Sequence, residues 1–138
     1  TAQRLKSPKK VYMIDNGLIT STAVQISKDN GKLMENLVFT ELLKKGLRPN
    51  LELFYYKTRN DKEIDFVLKQ GTEIKELLQV CYDASNHDVS EREIKALLEA
   101  KEELHAEKLT ILTWDEKKQI NRDGSVIEFV SLWEWLTA

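Results

Sequence analysis

The sequence predicts a single α/β domain, a mixed sheet flanked by helices. A strongly apolar helical stretch is followed by three short strand-like segments with tight connections. A second helical stretch with one apolar stripe and two further strand-like segments come next, an order most simply satisfied by helices packed on a sheet. The 138 residues, 41% hydrophobic and 32% charged, suffice for one buried core and exclude a disordered or membrane-embedded chain.

Taken in order, Lys10-Val11-Tyr12-Met13-Ile14 reads as a short extended segment stopped by the turn-prone Asp15-Asn16-Gly17. Residues 1–20 are expected to be a tail or connector from an upstream domain, and 31–136 the core of a single domain spanning 1–138. Residues 32–45 have helical periodicity, with Leu33, Met34, Leu37, Val38, Phe39, Leu42 and Leu43 covering most of the circumference. Gly46 is the expected C-cap, and Pro49 blocks continuation.

Strands are expected at Leu53–Lys57, 62–69 and 73–82, joined closely enough for an antiparallel meander. The second alternates, with Glu63, Asp65 and Val67 on one face and Ile64, Phe66 and Leu68 on the other. In the third, Leu77, Gln79 and Cys81 share a face. Ser90 and Glu93 form an S-x-x-E capping box opening a helix whose apolar stripe is Ile94, Leu97, Leu98 and Leu104. Strands at 109–113 and 126–130 follow, separated by a charged loop ending in Asp123-Gly124. Residues 131–136 are expected to close the chain as a short helix, with Trp133 and Trp135 clasping the core.

Composition narrows the function. No apolar run approaches the roughly 18 residues of a membrane span, no secretory leader is visible, and the single Cys81 excludes an internal disulfide or a Cys-rich zinc site. A cytoplasmic protein with no membrane partner is expected. No G-x-x-x-x-G-K-[ST] occurs, so ATP belongs only to an upstream domain. Net charge is −2, yet residues 1–72 carry 13 Lys+Arg against 8 Asp+Glu and residues 73–138 carry 8 against 15. The first half therefore has the charge for a basic face.

Two acids stand where apolar residues are expected. Glu35 lies inside the apolar helix, and Asp65 lies midway along a strand before Phe66, Val67 and Leu68. Pairing of the strands would bring Gln79 and Cys81 beside Asp65. A helix acid, a strand acid and two residues at x and x+2 on the next strand is the layout of metal-dependent phosphodiesterases. There, acids hold Mg²⁺ through oxygen, and a lysine orients the attacking water. Tyr55, Tyr56 and Trp114 are stacking candidates, with core packing the simpler expectation. His87 and His105 sit in charged surroundings and are expected at the surface.

The stretches Lys10-Val11-Tyr12-Met13-Ile14-Asp15-Asn16-Gly17-Leu18, 31–43, Phe54-Tyr55-Tyr56-Lys57, Glu63-Ile64-Asp65-Phe66-Val67 and Leu78-Gln79-Val80-Cys81-Tyr82-Asp83 resemble the C-terminal domain of archaeal and bacterial AAA+-type ATPases. Glu91-Arg92-Glu93 and Ile111-Leu112-Thr113-Trp114-Asp115 fit the same pattern. That domain is similar to the PD-(D/E)XK nuclease superfamily, which implies a restriction-endonuclease-like αβββαβ core. By this resemblance Glu35 matches the helix acid and Asp65 the central metal-binding Asp, while Gln79 and Cys81 occupy the acid and lysine positions. Gln79 retains an oxygen without charge, and Cys81 supplies no fixed cation.

The expectation is a catalytically degenerate nuclease-like accessory domain of such an ATPase, binding DNA or regulating its motor. Its partners would be the upstream ATPase domain, DNA and a second copy in a homo-oligomer. If Mg²⁺ is retained, Asp65, Gln79 and Glu35 are the candidate ligands. An active nuclease would need a relocated lysine, for which Lys57, Lys75 and Lys95 are candidates, and a protein-interaction or oligomerisation module is a third reading.

Overall fold

The computed structural model describes residues 5–6 and 30–138; the expected extended segment and turn at 10–17 lie outside them. The strands are β1 (Leu5–Lys6), β2 (Leu53–Lys57), β3 (Glu63–Gln70), β4 (Glu73–Cys81), β5 (Lys108–Thr113), β6 (Lys118–Arg122) and β7 (Ser125–Ser131). The helices are α1 (Asn30–Lys44), α2 (His87–Leu104) and α3 (Leu132–Thr137). Among the described residues the seven strands form one mixed sheet in the order β1-β2-β3-β4-β5-β7-β6. β2, β3 and β4 make the expected antiparallel meander, β4, β5 and β7 run parallel, and the outer pairs are antiparallel. Leu5 and Lys6, within the stretch expected to be a connector, pair with Tyr56 and Tyr55.

The sheet has a core on each face. On one, α2 lays Ile94, Leu97, Ala100 and Leu104 over Val67, Leu77, Ile111 and Phe129. On the other, Met34, Val38 and Leu42 of α1 meet Phe66, Leu78, Val80 and Leu112, and Leu132 of α3 joins them. Helices on both faces explain why the central strands read as apolar runs, with neither face left to water. α1 ends as expected in a Schellman arrangement: Gly46 has φ +94°, its N–H donates to Leu43 O, and the Leu47 N–H donates to Leu42 O.

Four local expectations are corrected. Asn86, not Ser90, caps α2, its side chain accepting from the Val89 N–H, while the Ser90 hydroxyl bonds back to His87 O. Asn is as good a cap as Ser, and the helix simply starts one turn earlier. The charged loop before Asp123-Gly124 contains β6, whose exposed polar residues face solvent at the sheet edge while Ile120 packs inward. Asp123 and Gly124, at φ 54° and 81°, make the tight two-residue turn between β6 and β7.

The third correction concerns β3. Phe54 pairs with Val67 but Tyr56 pairs with Ile64, so β3 carries one residue more than β2 across this step. That β-bulge breaks strict alternation. Ile64 and Val67 enter the α2-side core, and Phe66 enters the α1-side core. The fourth is the aromatic clasp. Trp135 packs on the α1-side core, under the Lys45 ammonium at 4.5 Å, but Trp133 is 53% exposed, and Leu132 supplies the buried contact.

Candidate functional site

The bulge re-aims Asp65. Its side chain lines a cleft of about 560 Å³ between the N-terminal half of α1, the β2–β3 turn and the first turns of α2. Glu35 lines the same cleft, so the two acids singled out from the sequence do come together. Asp61, Glu63 and Glu93 add three more carboxylates, and Lys32, Lys62 and Arg92 add three cations.

Asp65 is 9% exposed and its Oδ2 accepts a hydrogen bond from the Val80 N–H at 2.9 Å. The β3–β4 ladder ends at the Phe66–Leu78 pair. Beyond it, the Gln79 side chain, 1% exposed, takes the place of the missing backbone partner. Its Oε1 accepts from the Asp65 N–H at 2.8 Å and its Nε2 donates to Glu63 O at 2.9 Å. A primary amide matches a peptide group in carrying both donor and acceptor, and this one satisfies the buried Asp65 N–H and the part-buried Glu63 carbonyl.

Cys81 does not line the cleft with Asp65. It lies in the α2-side core at 3% exposure, and Val80, the residue between, lines the cleft. Burial first, then the carboxylates of Glu93 and Asp83, push its thiol up to about 12. The expected common face of Asp65, Gln79 and Cys81 is therefore replaced by an arrangement in which Gln79 bridges the strands and Cys81 is core. Strand β4 itself keeps the expected alternation, with Leu77 and Cys81 in the α2-side core and Leu78 and Val80 in the α1-side core; the irregularity that sequence alternation does not reveal is the bulge at β3.

The relocated-lysine candidates fall elsewhere. Lys75 sits at the opposite end of β4, between Glu73 at 3.1 Å and Glu107 at 3.2 Å. Lys57 pairs loosely with Asp61 at 4.0 Å, and Lys95 lies on the exposed side of α2. None lines the cleft, whereas Lys32, Lys62 and Arg92 do. Sequence reasoning passed over these three, although Lys62 is only three residues from Asp65 and Arg92 lies within the Glu91-Arg92-Glu93 motif.

The wall carrying Asp61, Lys62 and Glu63 is tied to α2 by two glutamates. Glu99 accepts from the Thr58 hydroxyl and, at 2.6 Å, from Asn60 Nδ2. Glu103 accepts from the Tyr56 hydroxyl and, at 3.1 Å, from the Arg59 N–H. Burial works against the charge on Glu99, but the Thr58 and Asn60 donors outweigh it and hold the carboxyl below its ordinary range. Tyr55 and Tyr56 are buried, as core packing required, and the Tyr55 hydroxyl bonds Glu63. Trp114 departs from the same expectation, being 37% exposed. His87, opening α2, and His105, its C-cap, are exposed as expected.

Two of the oxygens expected to hold Mg²⁺ are already engaged by backbone N–H groups. Mg²⁺ takes about six oxygens in near-octahedral array. Here the Gln79 oxygen faces the Asp65 N–H and one Asp65 oxygen faces the Val80 N–H. Among the described residues no group of three or more His, Cys, Asp or Glu side chains is placed to hold a metal ion. What the arrangement does chemically is bind two strands together at the floor of a charged cleft. Among the described residues no helix is long and apolar enough to cross a membrane.

The chain resembles two curated proteins. It is 38% identical over 135 residues to an uncharacterized protein of Methanocaldococcus jannaschii, covering 94% of this chain and 29% of that protein. It is 28% identical over 132 residues to an uncharacterized protein of Haemophilus influenzae, covering 96% of this chain and 30% of that one. The chain thus spans about three-tenths of the length of these curated relatives. No solved structure matches it. Residues 30–135, from the first residue of α1 to within α3, match the family described as a domain of unknown function, DUF4143, and the chain belongs to that family.

Proposed function

We propose that this chain is a non-catalytic, nuclease-like accessory domain of a longer ATPase-type polypeptide, with a regulatory rather than a cutting role. The observation that carries the reading is the use of Gln79. A nuclease of the PD-(D/E)XK type would aim an acid and a lysine from this strand at the scissile phosphate. In this chain the first position is a strand-bridging amide and the second a buried thiol. The αβββαβ order of α1, β2, β3, β4, α2 and β5 is compatible with a restriction-endonuclease-like core. Relatives more than three times as long leave room for the upstream ATPase domain that the resemblance implies, where ATP would bind.

Within this reading the cleft suits contact with protein better than with DNA. Five carboxylates against three cations line it, and a phosphate backbone needs the opposite balance. The test is cleavage and binding by the purified chain. Supercoiled plasmid incubated with it in Mg²⁺ or Mn²⁺ is expected to stay intact, and duplex DNA to bind only weakly at 150 mM salt. Nicking that disappears in Asp65→Ala would overturn the non-catalytic reading. Tight, steeply salt-dependent duplex binding would replace regulation with DNA attachment.

A further inference from the structure

We propose that Tyr82, Trp114 and Trp133, with Asp83 and Asp115 beside them, form a docking surface for a basic peptide segment of a partner protein, engaged through arginine or lysine side chains. This goes beyond the reading of the cleft and does not depend on it. β4 and β5 run parallel with Cys81 opposite Thr113, so both strands leave the sheet side by side on an aromatic–aspartate pair, Tyr82-Asp83 and Trp114-Asp115. α3 then brings Trp133 against them. The Tyr82 and Trp114 rings are 5.7 Å apart and tilted by 49°, and Trp114 meets Trp133 edge-on at 5.2 Å.

Three touching rings of this size are normally covered. Here Tyr82 and Trp114 are each 37% exposed and Trp133 53%, which leaves a faceted aromatic wall in water. Its surroundings select the occupant. Lys117 is matched by Glu134 at 3.2 Å and Lys118 by Glu116 at 3.7 Å. Among the described residues the Asp83 carboxylate accepts only from the neutral Ser85 hydroxyl at 2.9 Å, and neither Asp83 nor Asp115 has an ion-pair partner. Arg92, which shares a hollow with Tyr82 and Asp83, is offset there by Glu93. The local excess of charge is negative, and aromatic faces add their own negative potential, so a cation is attracted twice.

Arginine suits the place best, because its planar guanidinium stacks on an indole while its N–H groups reach a carboxylate. A single-stranded nucleic acid also stacks on aromatic rings, but it needs a positive track for its phosphates. Two unmatched aspartates oppose that. The chain uses the same contact internally, with Lys118 Nζ 4.7 Å from the Phe129 ring centre.

Fluorescence anisotropy of a labelled peptide carrying four arginines spaced by glycines tests the surface on the 138-residue chain. Saturable binding that weakens with salt is expected. It should fall at least tenfold in Trp114→Leu, in Trp133→Leu and in the double change Asp83→Asn with Asp115→Asn, each first shown by its melting curve to be folded. Glu102→Gln, which removes an exposed acid on α2, should leave binding unchanged. Equal binding by the wild type and the Trp→Leu variants would overturn the proposal, since attraction to acids alone would then suffice. So would the absence of saturable binding, or tighter binding of a labelled twelve-residue oligothymidylate in the same assay.

Discussion

Gln79 and Asp65 each hold the backbone of the other's strand: the Gln79 amide oxygen accepts the Asp65 N–H at 2.8 Å, and Asp65 Oδ2 accepts the N–H of Val80, next to Gln79, at 2.9 Å. With the second Gln79 bond to Glu63 O, three hydrogen bonds close the gap where the β3–β4 ladder stops. The pair is therefore a structural clasp at the floor of the cleft, and substitutions at either residue should be felt first in stability.

Gln79→Glu is expected to lower stability by about 1–3 kcal/mol at pH 7.5, because a buried carboxylate has no proton to give Glu63 O. Protonation restores a donor, so the introduced carboxyl has a folded pKa above its unfolded value of roughly 4.3. Its contribution is then fully present below that value and lost as pH rises through the folded pKa. Urea midpoints of wild type and variant should converge at pH 4.5 and separate at pH 7.5. An equal gap at both pH values would show that the Nε2–Glu63 bond carries no weight.

Asp65 allows a finer comparison. Asp65→Ala leaves the buried Val80 N–H without its acceptor and should cost about 1–3 kcal/mol. Asp65→Asn keeps an oxygen in place and should cost less. Thermal melts rank the two, and amide exchange at Val80 should accelerate in the alanine variant alone. Identical melting temperatures for both variants would count against the bond.

Burial of Cys81 predicts an inert thiol. A disulfide reagent at pH 8 should leave it untouched in the folded chain and label it on unfolding in urea. With its folded pKa pushed up to about 12, the thiol favours the native state while both states stay protonated. That advantage is lost as pH rises past the unfolded value of roughly 8.5. The stability difference between wild type and Cys81→Ala should therefore shrink by about 1–2 kcal/mol between pH 8 and pH 10, at most about 1.4 kcal/mol per pH unit. Rapid labelling of the native chain would be incompatible with its place in the core.

The β6–β7 hairpin depends on backbone conformation at its turn. Gly124 has φ +81° with open space around it, so Gly124→Ala strains the chain without a clash and should cost about 1 kcal/mol. The loss should appear as faster amide exchange in β6, leaving β3 and β4 protected. Uniform acceleration across the sheet would mean that the hairpin is part of the cooperative core.

Composition, periodicity and turn residues were enough for the class of fold and the order of its main elements. The apolar circumference of α1, the Gly46 stop and the short links of the meander act locally, and the chain carries them wherever it goes. The same local signals located Glu35 and Asp65 as acids out of place. They missed β6, because an exposed edge strand with one inward residue, Ile120, has the composition of a loop. They also misread the Trp114 environment, since exposure depends on what the rest of the chain leaves uncovered.

The decisive difference lies at Asp65 and Gln79. Counting alternate residues along β3 and β4 put Asp65, Gln79 and Cys81 on one face, as a catalytic strand would. The tertiary structure inserts a bulge opposite Tyr55, sets Asp65 in the same cleft as Glu35 and draws Gln79 between the strands. A bulge is a property of how two strands pair, with no local signature in either of them. Sequence alone thus identified which residues are unusual, and only the packing of the sheet against its two helices decided what each of them does.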